Sequence, residues 1–297
     1  MTRNEERHIS RALASVAGIA REVFVIDSLS TDHTVDIARA AGATVIQHEF
    51  INYARQFQWA LDNAPITAEW IMRLDADEVI EADLAATIRE ELPKLAPDIA
   101  GVNLKRKHIF LGRWIRHGGR YPLVLLRIWR RGQGRIEDRW MDEHIILSGG
   151  RAVTFEGGFA DCNLNDLTFF IDKHNKYATR EAIDVINQRR QLFRRDVDLV
   201  TQEGSRRAAV TRWIKENIYN HISYRISAPG YFLFRVIFQL GFLDGKEGLV
   251  YHGLQGLWYR FLVGAKVEEL ELAISGIEDP QLIRAELRRL TGLAIDG

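Results

Sequence analysis

The sequence predicts an α/β fold: a parallel-rich sheet flanked by helices, followed by a helical C-terminal region. Three observations predict it. Helix and strand signals alternate up to about residue 92, residues 99–158 are rich in strand signals, and the remainder reads mostly as helix. Strand–helix–strand alternation argues a parallel sheet with helices on both faces. In such sheets ligands bind at the carboxyl ends of the strands.

The elements follow in order. NEERHISRALASVAG places Asn4 as the expected helix cap, with acids in the first turn and Ile9, Leu13 and Val16 at helical spacing. EVFVID reads as a buried strand. STDHTVDIARAAG supplies Ser/Thr/Asp cap chemistry, with Asp32 expected to cap rather than to bind a ligand, and Gly42 as the stop. ATVIQ is the next strand, NYARQFQWALDNA a helix, EWIMRL a third strand and EADLAATIREEL a helix. IAGVNLKRKHIFLG, LVLLRIWRR, EHIILSG and RAVTFEG read as strands, and LTFFIDKHNKYATREAIDVINQRRQLF as one long helix. The alternation begins with a helix, although a right-handed crossover into EVFVID calls for a strand before it.

Composition narrows the partners. The chain has 297 residues, enough for one large domain or a domain with an appendage. Forty basic and forty acidic side chains cancel, so no global field points to nucleic acid. The single cysteine, Cys162, excludes a disulfide framework and a multi-cysteine zinc site, and fits a reducing cytoplasm. MTRNEERHIS is too polar for a secretory signal. APGYFLFRVIFQLGFL (228–243) comes nearest to a membrane span, but it is short and contains Arg235. Together with HGLQGLWYRFLVGAK (252–266) it fits either a monotopic surface element or a buried helical hairpin.

The stretch RLDADE, Arg73 to Glu78, packs three carboxylates into four residues straight after an apolar strand. Acids disfavour strands, so the cluster is either a solvated loop or a place where positive charge sits. Mg²⁺ and Mn²⁺ prefer carboxylate oxygens and are the candidate cations. IDSLSTD also falls at a strand's carboxyl end, where a ligand is expected.

TRNEE, then VIDSLSTDHT, then WIMRLDADE, in that order and spacing, resemble the N-terminal half of family-2 glycosyltransferases, especially bacterial enzymes of lipopolysaccharide core and exopolysaccharide biosynthesis. The resemblance covers roughly residues 1–200 and extends more loosely to GFLDGKEGL (241–249). It implies a GT-A fold, with residues 1–160 as the nucleotide-sugar-binding and catalytic domain and 161–297 as a helical acceptor-side region, to which the apolar and basic pattern of 228–266 adds the expectation of membrane association. Members have a β-strand just before their TRNEE equivalent, so the first strand is expected to be missing from the chain as given.

The implied activity is metal-assisted, inverting transfer of a hexosyl group from a nucleotide-diphosphate sugar, a UDP-sugar by expectation, to a saccharide or lipid-linked saccharide. The expected place, from the single cysteine and the C-terminal apolar pattern, is the cytoplasm, peripheral on the inner membrane. The implied cofactor is Mn²⁺ or Mg²⁺. Asp75 and Asp77 match the family's DxD motif: Asp77 is expected on the metal, Asp75 on ribose or metal-bound water, and His144 is a further metal candidate. Glu78 is either part of that site or a helix N-terminal charge. Thr2, Arg3, Glu5, Asp27 and Ser28 match the nucleotide pocket, and Arg55 is a candidate for the donor phosphates. Leu29 stands where many members have Gly. In WMDEH, Glu143 matches the catalytic base, with Asp142 the fallback. Lys173 and Tyr177 match a Lys…Tyr pattern of the acceptor side or of packing.

Two readings compete. A strand followed by D-A-D-E-V also fits a haloacid-dehalogenase-like phosphatase with Asp75 as nucleophile and Asp77 as acid. A non-catalytic scaffold of a polysaccharide assembly complex is the other.

Overall fold

The computed structural model describes residues 1–50, 52–137, 144–193 and 223–293. Two compact units divide the chain, residues 1–164 and 165–297.

The first unit opens with α1 (Ile9–Val16), β1 (Phe24–Asp27), α2 (Thr34–Ala40), β2 (Thr44–Gln47) and α3 (Tyr53–Asn63). β1 and β2 pair in parallel, as the alternation predicts, and Thr2 makes one parallel bridge to Asp27. Asn4 does not cap α1, correcting that expectation. Its backbone sits at φ +56, its N–H donates to Ser30 Oγ, and its Oδ1 accepts from Thr31 N at 2.9 Å. Asn tolerates the left-handed region because its short amide bonds locally. Here the side chain ties the first loop to the loop after β1 instead. Asp32 Oδ1 accepts from Thr34 N at 3.0 Å, a capping contact at the start of α2, and Gly42 at φ +81 ends that helix. At α3 the cap is Asn52, which accepts from Arg55 N at 2.8 Å.

The next strands are β3 (Trp70–Met72) and β4 (Glu78–Ile80), followed by α4 (Ala82–Glu91), β5 (Ile99–Phe110), β6 (Arg113–Ile115) and β7 (Leu123–Arg130). β8 (Gly134–Ile136), β9 (Ile145–Leu147) and β10 (Arg151–Cys162) complete the unit. The larger sheet runs β3-β7-β5-β10-β4, with β6 on β5, and β8 pairs β9 separately. Within it only β5–β10 is parallel among the described pairings; the others are antiparallel. The parallel arrangement read from the sequence thus holds for β1–β2 and β5–β10. Short links such as β5 to β6 return the chain alongside itself, and a hairpin return is antiparallel.

Val16, Ile80, Leu84, Val102, Leu104, Ile128 and Phe159 form the core between α1, α4 and the sheet. Gly157 shows how close that packing is: its φ is +128, and a Cβ there would meet the Leu84 backbone at 2.7 Å. It lies where the β10 register shifts between Phe155 and Phe159, so α4 rests on a bulge that only glycine fits.

The second unit is helical: α5 (Leu167–Arg190), α6 (Tyr224–Leu233), α7 (Gly245–His252), α8 (Tyr259–Ala273) and α9 (Pro280–Thr291). Ile183, Ile186, Val267, Leu270, Ile283 and Leu287 join α5, α8 and α9 in one apolar core. Asp166 caps α5 by accepting from Phe169 N at 2.9 Å.

Candidate functional site

Asp75 and Asp77 of RLDADE occupy the link between β3 and β4, at the carboxyl end of β3, and Glu78 is the first residue of β4. Around them the sheet brings arginines. Arg127, from β7, reaches Glu78 at 2.5 Å and Asp75 at 3.4 Å. Arg106, from β5, lies 3.3 Å from Glu78, and Arg73 lies 3.5 Å from Asp75. Tyr53, at the start of α3, donates its hydroxyl hydrogen to Asp75 Oδ1 at 2.8 Å. Asp75 N–H donates to Glu78 Oε2 at 3.0 Å, closing the loop on itself.

Burial pushes the Asp75 carboxyl up, but Arg127 and Arg73 overcome it and hold the group well below the usual carboxylate range. Glu78 goes the other way. Burial first, then the negative charge of Asp75, push it up to about 7 against the pull of Arg127 and Arg106. Burial and the neighbouring Asp75 raise Tyr53 well above its ordinary value, which keeps it a hydrogen donor. Of the two readings of the acidic cluster the structure shows the charged one, and much of that positive charge is protein. An Arg127–Glu78 pair buried to this depth is costly to break, because the partner left behind is an uncompensated charge.

Asp77 has different surroundings. Its Oδ2 accepts from Asn163 Nδ2 at 3.0 Å, its backbone oxygen accepts from Cys162 N at 2.9 Å, and the residue is partly exposed. Both contacts come from the end of β10, which lies alongside β4.

The expected metal trio of Asp75, Asp77 and His144 is not assembled. Among the described residues no three His, Cys, Asp or Glu side chains gather in a group able to hold a metal. Asp75 is drawn into the arginine cluster, and His144, at the head of β9, has Nδ1 3.9 Å from Glu137. The described residues fit a divalent ion in a narrower sense. Asp77 offers one carboxylate, which suits an ion held by one or two carboxylates together with the phosphates of a substrate. Glu143 and Asp142 lie outside the described residues.

The second strand-end acid is enclosed by the fold. Asp27 is fully buried. Its carboxylate accepts from Thr2 Oγ1 at 3.2 Å, Ser30 N at 2.9 Å, Ser30 Oγ, and Gln47 Nε2 at 3.2 Å. Burial raises its pKa, but these donors more than compensate and hold it below the ordinary value. Ser28 is also buried, and its Oγ accepts from Gln56 Nε2 at 3.0 Å. Thr2, Asp27 and Ser28 are thus brought together as a closed polar knot with little exposed surface. Glu5 is likewise engaged: its carboxylate holds His8 Nδ1 at 2.7 Å, while His8 Nε2 accepts from Leu164 N. Arg3 and Arg55 are exposed. Leu29 adopts φ +57, which explains why glycine suits that position and why leucine there carries backbone strain. Lys173 Nζ lies 5.9 Å from the Tyr177 ring centre on α5, one turn apart.

Arg127, Tyr53 and Asn163 were not singled out from the sequence, and Arg106 stood out only as part of the basic run KRKH (105–108). One signal was present for Arg127: a charge inside the apolar strand LVLLRIW needs a buried partner. The others carry no local mark.

An α/β unit with a charged loop at the carboxyl end of a sheet strand belongs to the broad class of folds that bind ligands at that edge. Within that class the chain belongs to glycosyl transferase family 2, whose family profile matches residues 1–160. The mixed sheet with flanking helices and a helical C-terminal region is the GT-A-like arrangement expected from the sequence.

An uncharacterised glycosyltransferase of Rickettsia typhi is 40% identical over 84 residues, 28% of each chain. Another from Rickettsia bellii is 42% identical over 84 residues, again 28% of each chain. The matched stretch thus spans about 28% of the length of these curated relatives. Among solved structures, TarS of S. aureus (1–349) is similar at a TM-score of 0.40 and 16% identity, covering 99% of this chain and 91% of that one. Glucosyl-3-phosphoglycerate synthase of Mycobacterium tuberculosis, in complex with Mn²⁺ and UDP-glucose, scores 0.37 at 16% identity over 60% of this chain and 74% of that one. Likenesses that weak carry no argument about mechanism.

Proposed function

We propose that the protein transfers a sugar from a nucleotide-diphosphate sugar, in the first place a UDP-sugar, to a saccharide or lipid-linked saccharide acceptor, with inversion. The observation that carries this reading is the acidic link after β3 in a family-2 chain: Asp75 and Glu78 fixed by arginines, with Asp77 beside them next to Asn163. We place the reaction in cell-surface polysaccharide or lipopolysaccharide biosynthesis, on the cytoplasmic side, on the strength of the motif resemblance.

Asp77 is the residue that would hold a divalent ion, which when bound supplies Lewis-acid stabilisation of the departing diphosphate. Arg73, Arg127 and Tyr53 fix the Asp75 carboxylate, so that its ionised oxygens have a set direction at the strand end. Asn163 orients the Asp77 carboxylate from the end of β10. Glu143, or Asp142 in its place, is the proposed base that takes the acceptor hydroxyl's proton as the new bond forms.

The phosphatase reading is disfavoured by the same geometry. An Asp75 held by two guanidinium groups and a phenol is a poor nucleophile, because attack would break those contacts.

The test is thermal stability with a nucleotide panel, with and without Mn²⁺, for wild type and Asp77→Ala. Stabilisation by UDP or GDP that requires Mn²⁺ and disappears in the variant is the expected result, since a ligand bound only to the folded state raises the melting temperature. No shift with any nucleotide, in a folded protein, leaves the scaffold reading standing and ends the transferase one.

A further inference from the structure

The helical unit exposes an apolar apex that its own core does not use. After α6, residues Phe234–Phe238 continue as a wide, π-type turn, and a left-handed Leu240 and a short 3₁₀ turn over Gly241–Asp244 follow. The arms Tyr224–Phe238 and Gly241–Ala273 meet at a bend of 75°. The wide turn leaves the Phe234 and Phe238 rings near-parallel with centres 6.1 Å apart. At the bend Phe238 is 76% exposed, Ile237 52% and Phe242 53%, and Leu233, Phe234 and Leu240 are exposed with them. Soluble proteins seldom leave so many large apolar side chains contiguous in water unless something binds there.

Charge around the apex selects the occupant. Residues 224–266 contain five Lys or Arg and two Asp or Glu; Arg235 and Asp244 are buried at 3% and 2% exposed, and Arg225 is paired with Glu268, which leaves Lys246, Arg260 and Lys266 against Glu247. The Lys246 side chain, a few residues beyond the bend, is 91% exposed. An apolar tip in a net-basic segment complements an anionic surface and opposes a second copy of itself, which would bring like charges together. No single described helix is long and apolar enough to cross a membrane; the two bent arms reach that length and apolarity only together. The first arm, at 1.5 Å per residue, is only about 22 Å long, against a hydrocarbon core of about 30 Å. A short arm ended by a 75° bend suits entry into one leaflet better than a straight span.

We propose that the Leu233–Phe242 apex is a monotopic docking element that inserts its phenylalanines into one leaflet of an anionic lipid bilayer, with Lys246 at headgroup level. Phe and Leu below and Lys or Arg above is the pattern that holds a helical element at that interface. This inference does not rest on the reaction proposed above, and its test reads binding alone.

The experiment is flotation of the full chain with phosphatidylcholine vesicles and with vesicles containing about one quarter phosphatidylglycerol, a composition that gives the surface a negative potential. Wild type is expected to float with the anionic vesicles and at least tenfold less with neutral ones. The double variant Ile237→Asp/Phe238→Asp should lose flotation, and Lys246→Glu should weaken it several-fold, both with unchanged thermal unfolding. Because the double variant can fail by misfolding, Phe238→Trp supplies a second measurement: emission beyond the wild-type background, quenched by lipids brominated on the acyl chain. Wild type that does not float, flotation indifferent to lipid charge, or added emission in Phe238→Trp that the brominated lipids leave untouched would each overturn the proposal. So would a wild-type dimer without vesicles that Ile237→Asp/Phe238→Asp dissolves, since the occupant would then be a second copy.

Discussion

Two strand ends carry acids, and the protein treats them in opposite ways. At the end of β1, Asp27 is surrounded by neutral donors from Thr2, Ser30 and Gln47 and is sealed from solvent. At the end of β3, Asp75 and Glu78 are met by cations from three strands or their ends, and Asp77 stays partly exposed. The first arrangement fixes loops to one another. The second holds charge in place at the sheet edge. An acid at a strand end therefore does not define a ligand site; what matters is whether the fold seals it from solvent.

The strongest test of that contrast is Arg127→Met. It leaves buried Glu78 without its nearest cation, and removing one partner of a buried pair costs about 3–5 kcal/mol. Chemical denaturation should show that loss, and the double variant Arg127→Met/Glu78→Gln should recover a large part of it, a coupling that a double-mutant cycle measures. Recovery that fails would mean that Arg127 acts through packing on Phe159, whose ring centre lies 5.3 Å from the guanidinium, rather than through charge.

Asp27→Ala comes next, at about 1–3 kcal/mol for buried donors left unsatisfied. The acid dependence adds a sign. Because the folded-state pKa of Asp27 lies below its unfolded value, its contribution is fully present above the unfolded pKa, about 4. That contribution fades as pH falls through the folded value. Wild type should therefore lose stability more steeply than the variant below about pH 4, as read by thermal unfolding across a pH series. Parallel curves would remove Asp27 from that account.

Asp32→Ala should cost about 1 kcal/mol, the usual loss for a helix-start cap, with the further release of the Glu6 N–H that Asp32 Oδ2 accepts at 3.2 Å. The smallest effect on stability is expected from Asp77→Ala, about 0.5 kcal/mol or less for a substitution away from the buried network. In the same variant Mn²⁺-dependent stabilisation by nucleotide should be lost entirely. A large stability loss at Asp77, comparable to that at Arg127, would erase the distinction between the structural acids and the ligand acid.

Much of this was legible locally. The cap and stop of α2, the β1–β2 alternation and the position of RLDADE after a strand depend on residues within a few positions of one another. Asn4 shows where that reasoning ends: its residue type favours a cap, but Ser30 and Thr31, distant in sequence, claim it instead. The arginine cluster was out of reach for the same reason. Arg127 and Arg106 meet Glu78 only because β7, β5, β10 and β4 lie in one sheet, an order that no spacing encodes.

By itself the sequence determined the α/β class, the family-2 motifs, the helical C-terminal region and the two acidic strand ends, because periodicity, capping chemistry and motif order are properties of neighbouring residues. Only the tertiary structure decided which acids are neutralised and which remain at the surface. It also decided that Thr2, Asp27 and Ser28 close on each other, and that the phenylalanines after α6 face solvent rather than the helical core. Those outcomes depend on burial and on long-range partners, which fix where a charge is affordable and where an apolar side chain is left over.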